Sequence, residues 1–245
     1  MRPHVKFVDS KAMPWVPRGT GAYTKLLSTD PVNGARTALQ RVVPTDGAKA
    51  PSVPHYHYSD EEILVLKGRL TFDSKMWFGE LGYCFHPAYT VHGFKSAVPE
   101  ETWFLSRHSQ KMETFQIPKP KKRKYYSIAE NPSPRNLVAL PDARVGLWED
   151  RAVGFSRTRV GSVELGRNPV TGEGTRLFRL RPGYAQEAGA TGAGYEEIFV
   201  LDGAIELEGG GTFDEGGYSF MPPKTKTPAF TSLDGALLYV NFGPG

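Results

Sequence analysis

Hydrophobic and polar positions alternate along this chain in short runs bounded by Gly, Pro, Asn and Asp. Strand-like runs fall at residues 38–43, 63–66, 69–72, 83–86 and 103–106. A second set falls at 176–180, 198–201, 204–207, 218–221 and 237–242. Period-two alternation and β-branched or aromatic content predict half-buried strands. No sustained helical period appears. The Lys67-Gly68 and Asp202-Gly203 pairs read as hairpin turns. The expectation is an all-β, antiparallel protein.

The two sets of strands are copies of one another. Glu61-Glu62-Ile63-Leu64-Val65-Leu66-Lys67-Gly68 recurs as Glu196-Glu197-Ile198-Phe199-Val200-Leu201-Asp202-Gly203. Gly82-Tyr83-Cys84-Phe85-His86-Pro87 recurs as Gly217-Tyr218-Ser219-Phe220-Met221-Pro222. Both share an offset of 135 (61 to 196, 82 to 217). Upstream, Pro31, Gly34, Thr37, Leu39, Arg41 and Pro44 match Pro169, Gly172, Thr175, Leu177, Arg179 and Pro182 at an offset of 138 (31 to 169). Three matches in one order indicate a tandem duplication. The second copy is shortened by three residues (138 against 135) where the first holds His55 and His57.

A chain of 245 residues suffices for two small domains that each bury a core. The expected partition is a first domain at 8–118, a connector at 119–139 and a second domain at 140–245. The connector holds the basic run 119–124 and Asn131-Pro132-Ser133-Pro134, and reads as solvated linker. A net charge of +4 is too small for a nucleic-acid-binding balance. No apolar stretch reaches membrane-spanning length. Cys84 is the one cysteine, so no internal disulfide exists; it reads as a small buried apolar residue. The opening Met1–Lys6 lacks the apolar run of a signal peptide. A cytoplasmic protein with a small-molecule substrate is expected, without nucleic-acid or membrane partners and with a homodimer left open.

Candidate chemistry sits in the first copy. His55 and His57 are two residues apart, which in a strand places both on one face about 6.6 Å apart. Imidazoles so spaced can converge on one cation. Glu61 or Glu62 offers a carboxylate, and His92 follows Pro87 by five residues. Both glutamates recur as Glu196 and Glu197, so at least one has a role in the fold. His86 reads as a packed or hydrogen-bonded histidine, His4 and His108 as solvated. Tyr56, Tyr58, Tyr83 and Tyr89 read as core or pocket rim. In the second copy the His-x-His stretch has become Gly189-Ala190-Thr191-Gly192-Ala193-Gly194, and Thr227 stands at the offset of His92.

The spacing His55-x-His57-x3-Glu61-x6-Gly68, followed by Gly82-x4-Pro87-x4-His92, resembles the two motifs of the cupin superfamily. Gly82 lies one residue closer to Pro87 than is usual there, and Tyr89 stands where many cupins have glycine. Pro54-x-His55-x-His57 with Glu61-Glu62-Ile63 resembles the ChrR-type cupins most. That group includes zinc-binding domains of anti-sigma factors and dioxygenases that cleave acetylacetone-like or hydroxyacetophenone-like carbonyl compounds. The resemblance implies two tandem RmlC-like jelly-roll β-barrels, a bicupin. It implies His55, His57, Glu61 and His92 as ligands of one divalent transition metal per chain, Fe(II), Zn, Mn, Ni or Co, with Glu62 as the competing carboxylate. Two functions remain open: a metal-dependent dioxygenase acting on a small carbonyl or hydroxylated compound, and a non-catalytic zinc- or ligand-binding sensor. No phosphate loop, Cys-x-x-Cys or nucleophilic triad offers another chemistry.

Overall fold

The computed structural model describes residues 1–51, 53–130, 132–152, 159–190 and 192–244. The chain is nearly all β and forms two compact units, Pro14–Arg144 and Met1–Met13 with Val145–Gly245. Among the described residues, no helix is long and apolar enough to cross a membrane.

Each unit is a jelly roll built on a seven-stranded antiparallel sheet. In the first unit the strand order is Val138–Leu140, Tyr83–His86, Glu61–Lys67, Thr102–His108, Arg36–Val42, Ala22–Thr29, Val16–Gly19. In the second it is Val5–Asp9, Gly217–Met221, Gly194–Gly203, Ala236–Pro244, Gly174–Leu180, Arg159–Arg167, Glu149–Ala152. The order is the same strand for strand. Smaller sheets accompany each large one, and among the described residues hydrogen bonding does not close either unit into a continuous barrel. The core of the first unit gathers Ile63, Val65, Leu70, Phe78 and Cys84. The second gathers Phe178, Ile198, Val200, Ile205, Phe230 and Val240. Full burial of one such large aliphatic or aromatic side chain contributes roughly 1.5–3 kcal/mol.

The unit boundaries depart from those expected. Residues 119–139, expected as a connector, lie in the first unit. Tyr126–Ser127 pairs with Thr90–Val91, and Arg135 is buried. Residues 8–13 belong with the second unit, and 140–144 with the first. The reason is an edge strand taken by each unit from the segment preceding the other repeat. Val5–Asp9 pairs with Gly217–Met221, and Val138–Leu140 with Tyr83–His86.

Matching arginines accompany these edge strands. Arg2 donates to both carboxylate oxygens of Glu197 at 3.0 and 3.2 Å and lies over the Phe220 ring. Arg135 donates to Glu62 at 2.7 Å and lies over the Phe85 ring. Arg107 adds a second contact to Glu62 at 3.2 Å. Tyr83 and Tyr218 donate their hydroxyls to Glu62 and Glu197. The second glutamate of each repeat therefore serves the fold.

The two Lys/Asp-Gly pairs are corners, not hairpins. Glu61–Lys67 pairs with Tyr83–His86 and Thr102–His108, whereas Leu70–Thr71 pairs with Trp77–Phe78. Gly68 turns the chain between these sheets at φ +72°, and a Cβ there would meet the Glu101 carbonyl. Gly203 repeats the arrangement at the same φ. A lysine- or aspartate-glycine pair signals a positive φ; it does not say which strands pair afterwards.

Candidate metal centre

Three short backbone pairings bring the motif histidines together. His55–Tyr56 pairs with Phe115–Gln116. His55 and His92 exchange two backbone hydrogen bonds of 2.9 Å each. Tyr89 N–H donates to the His57 carbonyl at 2.7 Å. Tyr89 does this at φ +65°, the left-handed region where glycine is unstrained. It is held by ring contacts with Tyr58 and Tyr56. These tyrosines and Phe115 form an aromatic patch beside the site. Tyr83 lies apart from it, buried against Glu62.

The imidazoles converge. Ring centroids are 4.5 Å apart for His55–His92, 5.2 Å for His57–His92 and 5.3 Å for His55–His57. One nitrogen from each lies within 4.8 Å of the others. Each ring places Nδ1 against a backbone carbonyl: Val53 at 3.0 Å for His55, Glu113 at 2.9 Å for His57, Thr90 at 2.9 Å for His92. A carbonyl only accepts, so these contacts assign the proton to Nδ1 and leave Nε2 as a bare acceptor. Such outer hydrogen bonds orient metal-ligating histidines. Burial is the main cause that lowers His55 to about 4 and pushes His92 down from the usual histidine value. Both rings are neutral at pH 7, the state that binds metal.

Glu61 opens the central strand and faces the same point. Its Oε2 lies 3.0 Å from His86 Nδ1 and 3.3 Å from His92 Nε2, and its Oε1 lies 3.9 Å from His57 Nε2. Burial alone would push its pKa up, yet the hydrogen bond from His86 holds it well below the usual carboxylate range. The His92 Nε2 atom is buried and without a hydrogen-bond partner. An unprotonated imidazole nitrogen and an ionised carboxylate oxygen, 3.3 Å apart, are two acceptors with nothing to share. A divalent cation satisfies both, so the donor set fits a metal. Of the competing carboxylates, Glu61 is in the cluster. Glu62 lies on the opposite face of the strand with its arginines.

Two further histidines belong to these surroundings. His86 is in register with Glu61, donates to its Oε2, and stacks on His92 at 4.1 Å. Tyr125, from the segment expected to be linker, also stacks on His86 at 5.5 Å. His108, expected to be solvated, is buried; Ser59 and Ser106 hydroxyls lie 3.2 Å from its two nitrogens. Burial lowers it to about 4. The signal was strand parity, because Phe104, Ser106 and His108 share the inner face. His4 is exposed, as read. Cys84 is buried and its thiol is pushed well above the usual range by burial, which leaves it unreactive.

A cavity of about 470 Å³ opens onto the cluster. His55, His57, Glu61 and His92 line it, together with Ile63, Leu70, Phe72, Val98 and Phe104. His86 and His108 are not among its lining residues and stand behind the ligand atoms. The second unit keeps the scaffold without the donors. Gly189 pairs with Thr227 as His55 bridges His92. Met221 and Phe242 flank Glu196 where His86 and His108 flank Glu61. Thr191 lies outside the described residues.

The sequence signature of the ChrR cupin-like domain matches residues 4–112 and 148–245, one copy in each repeat. No curated protein matches the sequence. Among solved structures, a candidate dioxygenase of Nostoc punctiforme superposes with a TM-score of 0.73 at 19% identity, covering 97% of this chain and 81% of that one. Bacillus subtilis oxalate decarboxylase superposes with a TM-score of 0.55 at 14% identity, covering 97% and 75%. At such identities the likeness is one of fold. With the family signature in both repeats, this chain belongs to the ChrR cupin-like domain family.

Proposed function

We propose that this protein is a metal-dependent dioxygenase acting on a small carbonyl or hydroxylated organic compound. One divalent transition metal would be held by His55, His57, Glu61 and His92 of the first unit. The observation that carries the reading is the trio of imidazoles whose Nδ1 protons are committed to carbonyls while Nε2 lone pairs face the Glu61 carboxylate and a cavity. A redox-active divalent ion at this point supplies Lewis acidity and electron transfer to dioxygen.

The chain's own residues do the rest. His86 holds Glu61 ionised and turned toward His92. The buried rings of His55 and His92 stay neutral through the physiological range. Ile63, Leu70, Phe72, Val98 and Phe104 give the remainder of the cavity an apolar lining, which strengthens polar contacts made within it. A structural zinc site is closed on all sides. Here the donor set faces a cavity of about 470 Å³, which favours turnover over a purely structural ion. The candidate dioxygenase from Nostoc punctiforme shares the fold.

The test is oxygen uptake by iron-loaded protein offered small carbonyl and hydroxylated compounds, with His92→Ala beside it. The wild type is expected to consume oxygen with at least one of them. His92→Ala is expected to lose more than the roughly 10–100-fold that removal of an outer partner of a ligand costs. Its melting temperature should stay near that of the wild type, because the second unit folds with Thr227 at the equivalent place. Full activity in His92→Ala would refute the assigned site.

A further inference from the structure

We propose that Arg36 anchors a carboxylate subsite in the cavity of the first unit, and that the substrate is a small 2-oxo or 2-hydroxy carboxylate. This rests on the metal reading above and adds the charge of the molecule bound there.

Arg36 opens the strand Arg36–Val42 and is in register with His108, the neighbour of Glu61 on the next strand. Arg36, Gln40 and Val42 share the inner face and line the cavity. The charged groups of that lining, beside its histidines, are Arg18, Arg36, Lys49 and Glu61. Glu61 is engaged by His86, so it is not a free counter-ion. Arg18 and Lys49 are exposed, whereas Arg36 is half-buried.

The guanidinium of Arg36 is poorly matched. Its Nη2 reaches the Met112 sulfur at 3.5 Å, a weak acceptor. Its Nε is buried without a hydrogen-bond partner. Among the described residues no carboxylate pairs with it. Burial, then the like charge of Arg18, lower it from its ordinary value against the raising effect of the more distant Glu61 charge, and a guanidinium stays charged. An unpaired charge in a partly desolvated site is unfavourable until an anion meets it. Guanidinium geometry selects carboxylate, which accepts two parallel N–H bonds.

The charge balance points the same way. Three neutral imidazoles and one carboxylate leave a divalent ion at about +1. Arg36 adds another positive charge to the same cavity. A neutral dicarbonyl would leave Arg36 unmatched. A 2-oxo or 2-hydroxy carboxylate presents a carboxylate to Arg36 and an adjacent oxygen toward the ligand cluster. Its carbon chain or ring rests on the apolar lining of Leu70, Phe72, Val98 and Phe104.

The experiment is calorimetric binding of phenylglyoxylate and its neutral analogue 1-phenylpropane-1,2-dione. Both are titrated into zinc-loaded and metal-free wild type, and into Arg36→Met. Wild type is expected to favour the acid by about 10-fold or more in both forms, the range of a charge-assisted hydrogen-bond pair. Arg36→Met is expected to lose that preference when metal-free and to keep only the metal's share when zinc-loaded. Equal affinity of metal-free wild type for the two compounds would overturn the proposal, as would an unchanged preference in Arg36→Met. If Arg36→Met does not fold, the salt response of the metal-free wild type decides. Acid binding should weaken several-fold between 50 and 500 mM salt, roughly, while dione binding stays level; parallel responses overturn the proposal. Failure of zinc to bind would refute the metal reading, and a surviving acid preference in that protein would still uphold Arg36.

Discussion

The two units share a strand order, a corner glycine and a buried glutamate on an arginine, yet only the first surrounds its inner carboxylate with histidines. Glu61 and Glu196 stand at equivalent positions of the central strands. In the first unit His86 holds the carboxyl ionised against the cost of burial. In the second, Met221 and Phe242 stand alongside, and burial pushes the carboxyl up to about 7. One scaffold thus poses the same burial problem twice and solves it once. What both units keep, Glu62 with Glu197 and Gly68 with Gly203, serves the fold. What only one keeps, the histidines, would serve the proposed metal site.

The largest stability effect should come from the shared feature. Glu62→Ala leaves Arg107 and Arg135 buried without their carboxylate, a loss of about 3–5 kcal/mol. Glu197→Ala should cost less, because it strips the carboxylate from one buried arginine, Arg2, rather than from two. Urea unfolding monitored for both variants checks the order. If neither variant shifts the midpoint, the glutamate–arginine contacts do not hold the edge strands.

A smaller effect sharpens the contrast between the inner carboxylates. Glu196 has a folded value of about 7 against 4.5 in the unfolded chain. The folded state therefore holds the extra proton between those values, and stability falls as pH rises through that window. Glu196→Gln is expected to stabilise the protein by on the order of 1–3 kcal/mol at pH 8, with the side chain's partial exposure limiting the gain. Near pH 4.5 the gain should shrink toward zero. Melting temperatures of both proteins across that range check the sign. A gain that grows toward acid would contradict it.

Much of this organisation is legible in the residues. The repeat revealed two like units, and the spacing of His55, His57, Glu61 and His92 picked out side chains that the backbone brings together. The rest was hidden for physical reasons. His86 sits beside Pro87 in a short apolar run, where packing and ligand-holding histidines look alike. His108 precedes the polar Ser109-Gln110-Lys111, which masked the inward parity of its strand. The exchanged edge strands leave only a faint trace, Arg2 and Val5 against Arg135 and Val138, too short to stand out before the structure pairs them. Arg36 lies far in sequence from the motif, and only the strand register sets it beside His108.

The most direct test of this division is the metal content of the purified, metal-saturated chain, measured by elemental analysis. Wild type and Glu196→Ala are expected to hold one equivalent each, and His55→Ala/His57→Ala close to none. Two equivalents in the wild type, or an undiminished equivalent in the double variant, would contradict the assignment of the metal to the first unit's histidine cluster.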